Sequence, residues 1–145
     1  MSNTDTKQMT TKNISLAYYN LIKLEKQRAF YGSGIFSRDA AAKQANVSST
    51  TFNNYLKLIE LYPPLMTEID KGNFQMMAAY EIAFLSEVLQ QYIYDKGYFH
   101  NLKRKTAKII KEQAKNFKDI DKIISKQDIA EENLKYQVTT QYELP

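Results

Sequence analysis

Apolar residues recur at three- and four-residue spacing along most of the chain, whereas the strict alternation expected of strands is nearly absent. The pattern predicts an all-α protein. Ile14, Ala17, Leu21 and Leu24 follow the 3.6-residue period after a polar tail, with Asn13 placed to cap that first helix. The run from Tyr31 to Gly34 stops it. Ser37 then opens a second helix as N-cap, with Asp39 in the first turn where the helix dipole favours a carboxylate, and this helix runs to about Ala45. Asn46 comes next, and after glycine asparagine best tolerates the left-handed conformation of a tight turn. Ser48 caps a third helix through Phe52, Leu56 and Ile59, which Tyr62-Pro63-Pro64 ends. Beyond it the spacing predicts a short helix from Leu65 to Lys71 closed by Gly72-Asn73. A helix from Gln75 to about Tyr94 and a long helical region from about His100 to Tyr136 follow.

The size and the scarcity of breakers, three prolines and four glycines in 145 residues, fit one ordered domain. The absence of cysteine excludes disulfides, thiolate metal sites and cysteine nucleophiles, and the single histidine, His100, leaves almost no metal or triad chemistry. With no phosphate loop, no paired carboxylates and no nucleophile beside a base, the expectation is a protein without catalysis, cofactor or metal. No stretch approaches the roughly 18 apolar residues of a membrane span, and the start MSNTDTKQMTTKN lacks the apolar core of a secretory signal. A cytoplasmic protein with no membrane contact is therefore expected.

The formal net charge of +4 conceals strong segmentation. Residues 1–58 carry +5, residues 59–95 carry −5, residues 96–118 carry +7 and residues 119–145 carry −3. Two basic blocks separated by an acidic one suit a polyanion on one face and a different partner on the other.

Two short helices joined by a tight turn form the helix-turn-helix pattern, whose second helix enters the DNA major groove. In SRDAAAKQANVSSTTFNNYLKL, small Ala42 falls where the helices cross, and Val47, Phe52 and Tyr55 fall inward. The outward positions of that frame include Ser48, Ser49, Thr50, Asn53, Asn54 and Lys57. Asparagine pairs bidentately with adenine and threonine touches thymine methyls, so Ser49, Thr50, Asn53, Asn54 and Lys57 are the expected base readers. Ser37, Arg38 and Ser48 are expected at phosphates.

From about Ile14 to Ile110 the chain resembles the central DNA-binding domain of ParB-type partition proteins and their nucleoid-occlusion relatives. The residues that carry the resemblance are AKQANVSSTTFNNYLKLIEL (Ala42 to Leu61), a following proline, KGNFQMMAAYEIAFL (Lys71 to Leu85) and Gln90. Leu56, Leu58, Glu60, Leu61, Pro63, Gly72, Ala79 and Gln90 match the family pattern in order and spacing. The resemblance implies sequence-specific binding of double-stranded DNA, by a factor of a plasmid, phage or other mobile element acting in partition, conjugation or repression. Two departures limit it. Members usually carry a large N-terminal domain with an arginine-rich motif that hydrolyses CTP, and only about 13 residues precede the first helix here, so nucleotide switching is not carried over. The reading helix has no arginine, which predicts weak guanine readout from it.

Arg104, Lys108, Lys111, Lys115 and Lys118 recur at spacings of 4, 3, 4 and 3, which predicts one cationic stripe along a helix, thickened by Lys103 and Lys105. Leu102, Thr106, Ile110, Ala114 and Phe117 line the other side. Such a helix would lay Lys103, Arg104, Lys105, Lys108, Lys111 and Lys115 along a phosphate backbone. Ile120, Ile123, Gln127, Ala130 and Leu134 hold heptad-like positions, so residues 119–145 form an extension suited to homodimerisation or to packing on its own core. The organisation expected is a tail over residues 1–13, a DNA-binding domain over 14–118 and that extension. Tyr18, Phe52, Tyr80 and Phe84 fall at helical spacings that predict core, and Met76 and Met77 read as packing at a helix crossing. A different class of function is also compatible: a protein-binding module or inhibitor of a host nucleic-acid enzyme, with the acidic block over residues 59–95 as the surface that meets a protein partner.

Overall fold

The computed structural model describes residues 9–143, and among these every regular element is helical. Helix α1 spans Thr11–Arg28 and runs on into a π-helical turn, Ala29–Ser33, which Gly34 ends at φ 75°. Helices α2 (Arg38–Gln44) and α3 (Ser49–Lys57) follow, the latter tightening into a 3-10 turn at Leu58–Glu60. Helix α4 (Pro63–Asp70) has proline in its first turn, where no amide partner is lost. Helices α5 (Met76–Ile82), α6 (Glu87–Asp95), α7 (Arg104–Gln113) and α8 (Phe117–Glu143) complete the chain.

Two apolar clusters organise these elements. Ile22 of α1, Ala41 and Ala42 of α2 and Phe52 of α3 form the smaller one, flanked by Tyr18, Leu21, Val47 and Leu56. The alanines let α2 approach closely, and Phe52, wholly buried, stacks on Tyr18 with ring centroids 4.9 Å apart. The larger cluster runs from Leu58 through α4 to α8 and includes Leu65, Ile82, Ile93, Leu102, Ile110 and Ile120.

Four sequence expectations are corrected. The buried side of α1 is Thr11, Ser15, Ile22 and Glu25, not the stripe of Ile14, Ala17, Leu21 and Leu24; Leu24 is 58% exposed. Polar partners decide this rotation. Glu25 is held by Arg28 and by Gln44 of α2, and Asp70 of α4 accepts both the Thr11 N–H (3.0 Å) and its hydroxyl (2.6 Å). The cap of α1 is also Thr10, whose hydroxyl accepts the Asn13 N–H, rather than Asn13.

The region from Gln75 to Tyr94 is two helices. Ser86 caps α6, and the buried Gln90 side chain donates to the Leu85 carbonyl at 2.9 Å, satisfying the chain where it leaves helix. The same residue accepts the Tyr62 N–H at 2.6 Å and donates to the Glu60 carbonyl at 3.2 Å, so it fastens the corner after α3 to α6. The region from His100 to Tyr136 also divides. Ala114 is extended (ψ 127°), Asp119 accepts the Lys115 N–H and Asn116 accepts the Asp119 N–H, local bonds that compete with helix.

Helix α8 is tethered at its start by Asp121, which accepts the Tyr98 hydroxyl at 2.7 Å and the Tyr92 hydroxyl at 2.9 Å. The Tyr98 bond, then the Tyr92 bond, hold the Asp121 carboxyl below the usual carboxylate range. In return the Asp121 bond, with some burial, pushes the Tyr98 phenol up to about 12.

Candidate nucleic-acid interface

The unit of α2, turn and α3 is built by local chemistry. Ser37 Oγ accepts the Ala40 N–H and Ser48 Oγ accepts the Thr51 N–H, so each helix starts at its serine cap. Between them Asn46 adopts φ 62°, and Val47 donates its N–H to the Ala42 carbonyl across the turn. Leucine or valine at position 46 would meet the Cβ clash that asparagine tolerates.

Of the five expected base readers, three share the outward side of α3. Ser49 and Thr50 are exposed and Asn53 is half-buried. Ser49 Oγ donates to Asp39 Oδ1 at 2.6 Å, and Asn53 Oδ1 accepts from Arg38 Nη1 at 3.1 Å. The other two turn away. Asn54 is directed at α5, with its amide nitrogen 3.8 Å from Met77 Sδ. Lys57 keeps 22% side-chain exposure, lies 4.0 Å from the centre of the Phe84 ring and pairs with Glu60 at 3.0 Å. Asn54 therefore leaves the outward set because α5 folds against that flank of α3, and Lys57, one turn beyond Asn53, is taken up by Glu60 and the Phe84 ring.

The expected phosphate contacts are also redistributed. Ser37 and Ser48 are spent as caps, although Ser48 remains exposed. Arg104 and Lys111 converge on one carboxylate, Glu81, whose side chain is only 3% exposed, and Lys103 pairs with Glu131 at 3.4 Å. Lys105, Lys108, Lys115 and Lys118 are exposed, and among the described residues none forms an ion pair. Since the helix breaks at Ala114, the five cations predicted as one stripe are divided: Arg104, Lys108 and Lys111 lie on α7, Lys115 in the connection and Lys118 on α8. Phe84, expected in the core, is 45% exposed and is flanked by the Lys57 and Lys111 ammonium groups at 4.0 and 4.7 Å from its ring centre.

The acidic block is largely consumed inside the molecule. Glu60 pairs with Lys57, Glu68 accepts from Asn73 at 2.8 Å, Asp70 holds Thr11, and Glu81 holds two cations. Two roles escaped the sequence reading: Asp39 as acceptor of Ser49, and Arg38 as donor to α3. Both are contacts between adjacent helices, visible only once the crossing is known. No helix among the described residues is long and apolar enough to cross a membrane. Comparison with protein-family models, with curated proteins and with solved structures returns no match.

Proposed function

We propose that the protein binds double-stranded DNA in a sequence-specific manner, with α2 and α3 as a helix-turn-helix and α3 as the helix that enters the major groove. One observation carries the reading: Ser49, Thr50 and Asn53 stand on the solvent side of α3 while Phe52, between them in sequence, is wholly buried. A helix held from behind by an aromatic anchor and faced with short hydrogen-bonding groups suits base edges. The exposed Lys105, Lys108 and Lys115 supply cations for flanking phosphates.

The resemblance to ParB-type domains supports a role in marking a DNA site for a plasmid, phage or other mobile element. Exposed Ile129 and Leu134 on α8 support pairing of two copies through this helix, and two copies would read half-sites about one helical turn apart. The alternative of a nucleic-acid mimic needs unneutralised surface carboxylates, and four acids of the block over residues 59–95 already serve internal partners.

The test is fluorescence anisotropy with labelled random-sequence duplexes across about 50 to 200 mM salt. Binding that weakens steeply with salt is expected. No measurable binding to any duplex at the lowest salt would refute the proposal.

A further inference from the structure

The outward side of α3 is not made by α3 alone. Consecutive residues at the start of α2, Arg38 and Asp39, reach across the crossing to Asn53 and Ser49. Ser49 and Asn53 are four residues apart, so the two contacts sit one above the other on a single face of α3. The bond from Arg38 Nη1 to Asn53 Oδ1 is 3.1 Å long and lies at the exposed surface. Sequence reasoning assigned Arg38 to a phosphate and expected little guanine readout, since α3 contains no arginine. The fold instead brings a guanidinium onto the reading side of α3.

Its chemistry there differs from that of a phosphate contact. A guanidinium has five N–H donors, and the bond to Asn53 takes one. The remaining planar fork matches the O6 and N7 acceptors of guanine in the major groove. Asn53, whose carbonyl braces the fork, fixes its orientation and so lowers the entropy that a free arginine side chain would lose on binding. The neighbouring Asp39 carboxylate repels a phosphate but accepts readily from a base amino group, which favours base edges over backbone at this end of α2. Among the described residues Arg38 is in no ion pair that would neutralise it.

We infer that Arg38, oriented by Asn53, reads a guanine, so that specificity is set in part by a residue outside the reading helix. The inference rests on the DNA-binding proposal above. Its test is selection of bound duplexes from a randomised library by the full chain and by R38A, R38K and N53A. The unaltered chain is expected to enrich one fixed guanine per half-site. R38A should lose that guanine while the preferences at other positions persist, and R38K and N53A should weaken it. On the selected site, replacing the guanine by 7-deazaguanine, which lacks N7, should cost about 10-fold in affinity. Replacing it by inosine, which keeps O6 and N7, should cost little. Arg38 is exposed, so R38A is expected to keep the fold, and an unchanged thermal melt checks this. An R38A chain that binds every sequence more weakly but still selects guanine makes Arg38 a phosphate contact and overturns the inference. Failure of the unaltered chain to enrich any sequence overturns the DNA proposal itself, and the inference with it.

Discussion

Replacing Gln90 tests whether one buried amide fixes the corner through which α3 leaves its lobe. Gln90 is 1% exposed; it accepts the Tyr62 N–H at 2.6 Å and donates to the carbonyls of Leu85 at 2.9 Å and Glu60 at 3.2 Å. Gln90→Leu keeps most of the volume and removes these three bonds together with a longer one, 3.5 Å, to the Ala83 carbonyl. A buried backbone group left without a partner costs about 1–3 kcal/mol. Glu60 is exposed and its carbonyl can take water, so the Tyr62 N–H and the Leu85 carbonyl carry the full cost. The expected loss is about 2–6 kcal/mol, from a total stability that for a domain of this kind is about 5–15 kcal/mol. Urea denaturation followed by circular dichroism at constant m-value measures it. A Gln90→Leu chain within about 0.5 kcal/mol of the unaltered one, the range of an ordinary surface substitution, would refute the reasoning. Gln90→Glu supplies the control. It retains an acceptor for Tyr62 but turns a second oxygen toward the carbonyl oxygens of Glu60, Ala83 and Leu85, so it should be no better tolerated than leucine at neutral pH.

Three further outcomes are expected. Asn46→Gly should leave stability nearly unchanged, whereas Asn46→Val should cost about 1–2 kcal/mol or more by thermal or urea melts, because the turn requires φ 62°. The Asp121 tether predicts pH dependence at both extremes: its carboxyl is held low in the fold, so its contribution is present above the ordinary carboxylate pKa and lost as pH falls through the lowered value. Tyr98 is held high, so its contribution is present below pH 10 and lost as pH rises toward about 12; a late phase in the tyrosinate absorbance titration should report it, and Asp121→Asn should move that phase earlier. Lys108→Ala should weaken binding of all duplexes alike and reduce the salt slope by about one, measured by anisotropy over a salt series.

How far the sequence foretold the structure depended on the range of the interactions. The start of α2, the turn and the start of α3 were legible because Ser37, Asn46 and Ser48 act on amides or dihedrals within three residues of themselves. The inward face of α1 was not, because burying Thr11 and Glu25 in place of Leu24 depends on Asp70 and Gln44, which come from other helices. The break before Ser86 was missed for a similar reason, since Gln90 and not the local pattern takes the Leu85 carbonyl. At the candidate interface, composition located the polar edge of α3 around Ser49, Thr50 and Asn53. It did not show that Asn54 faces α5 or that Lys57 lies on the Phe84 ring, since helical periodicity does not reveal which flank a later helix will cover.

The bond from Thr11 to Asp70 spans 59 residues and ends the first helix against the fourth. An excised peptide ending near residue 60 would lack the carboxylate that receives two of its protons, together with the apolar wall behind Leu58. The lobe that carries α3 thus borrows its foundation from the remainder of the chain. Its shape and that of its neighbour should melt as a single event, and minimal versions of this binder should be sought by trimming surface loops instead of cutting between lobes.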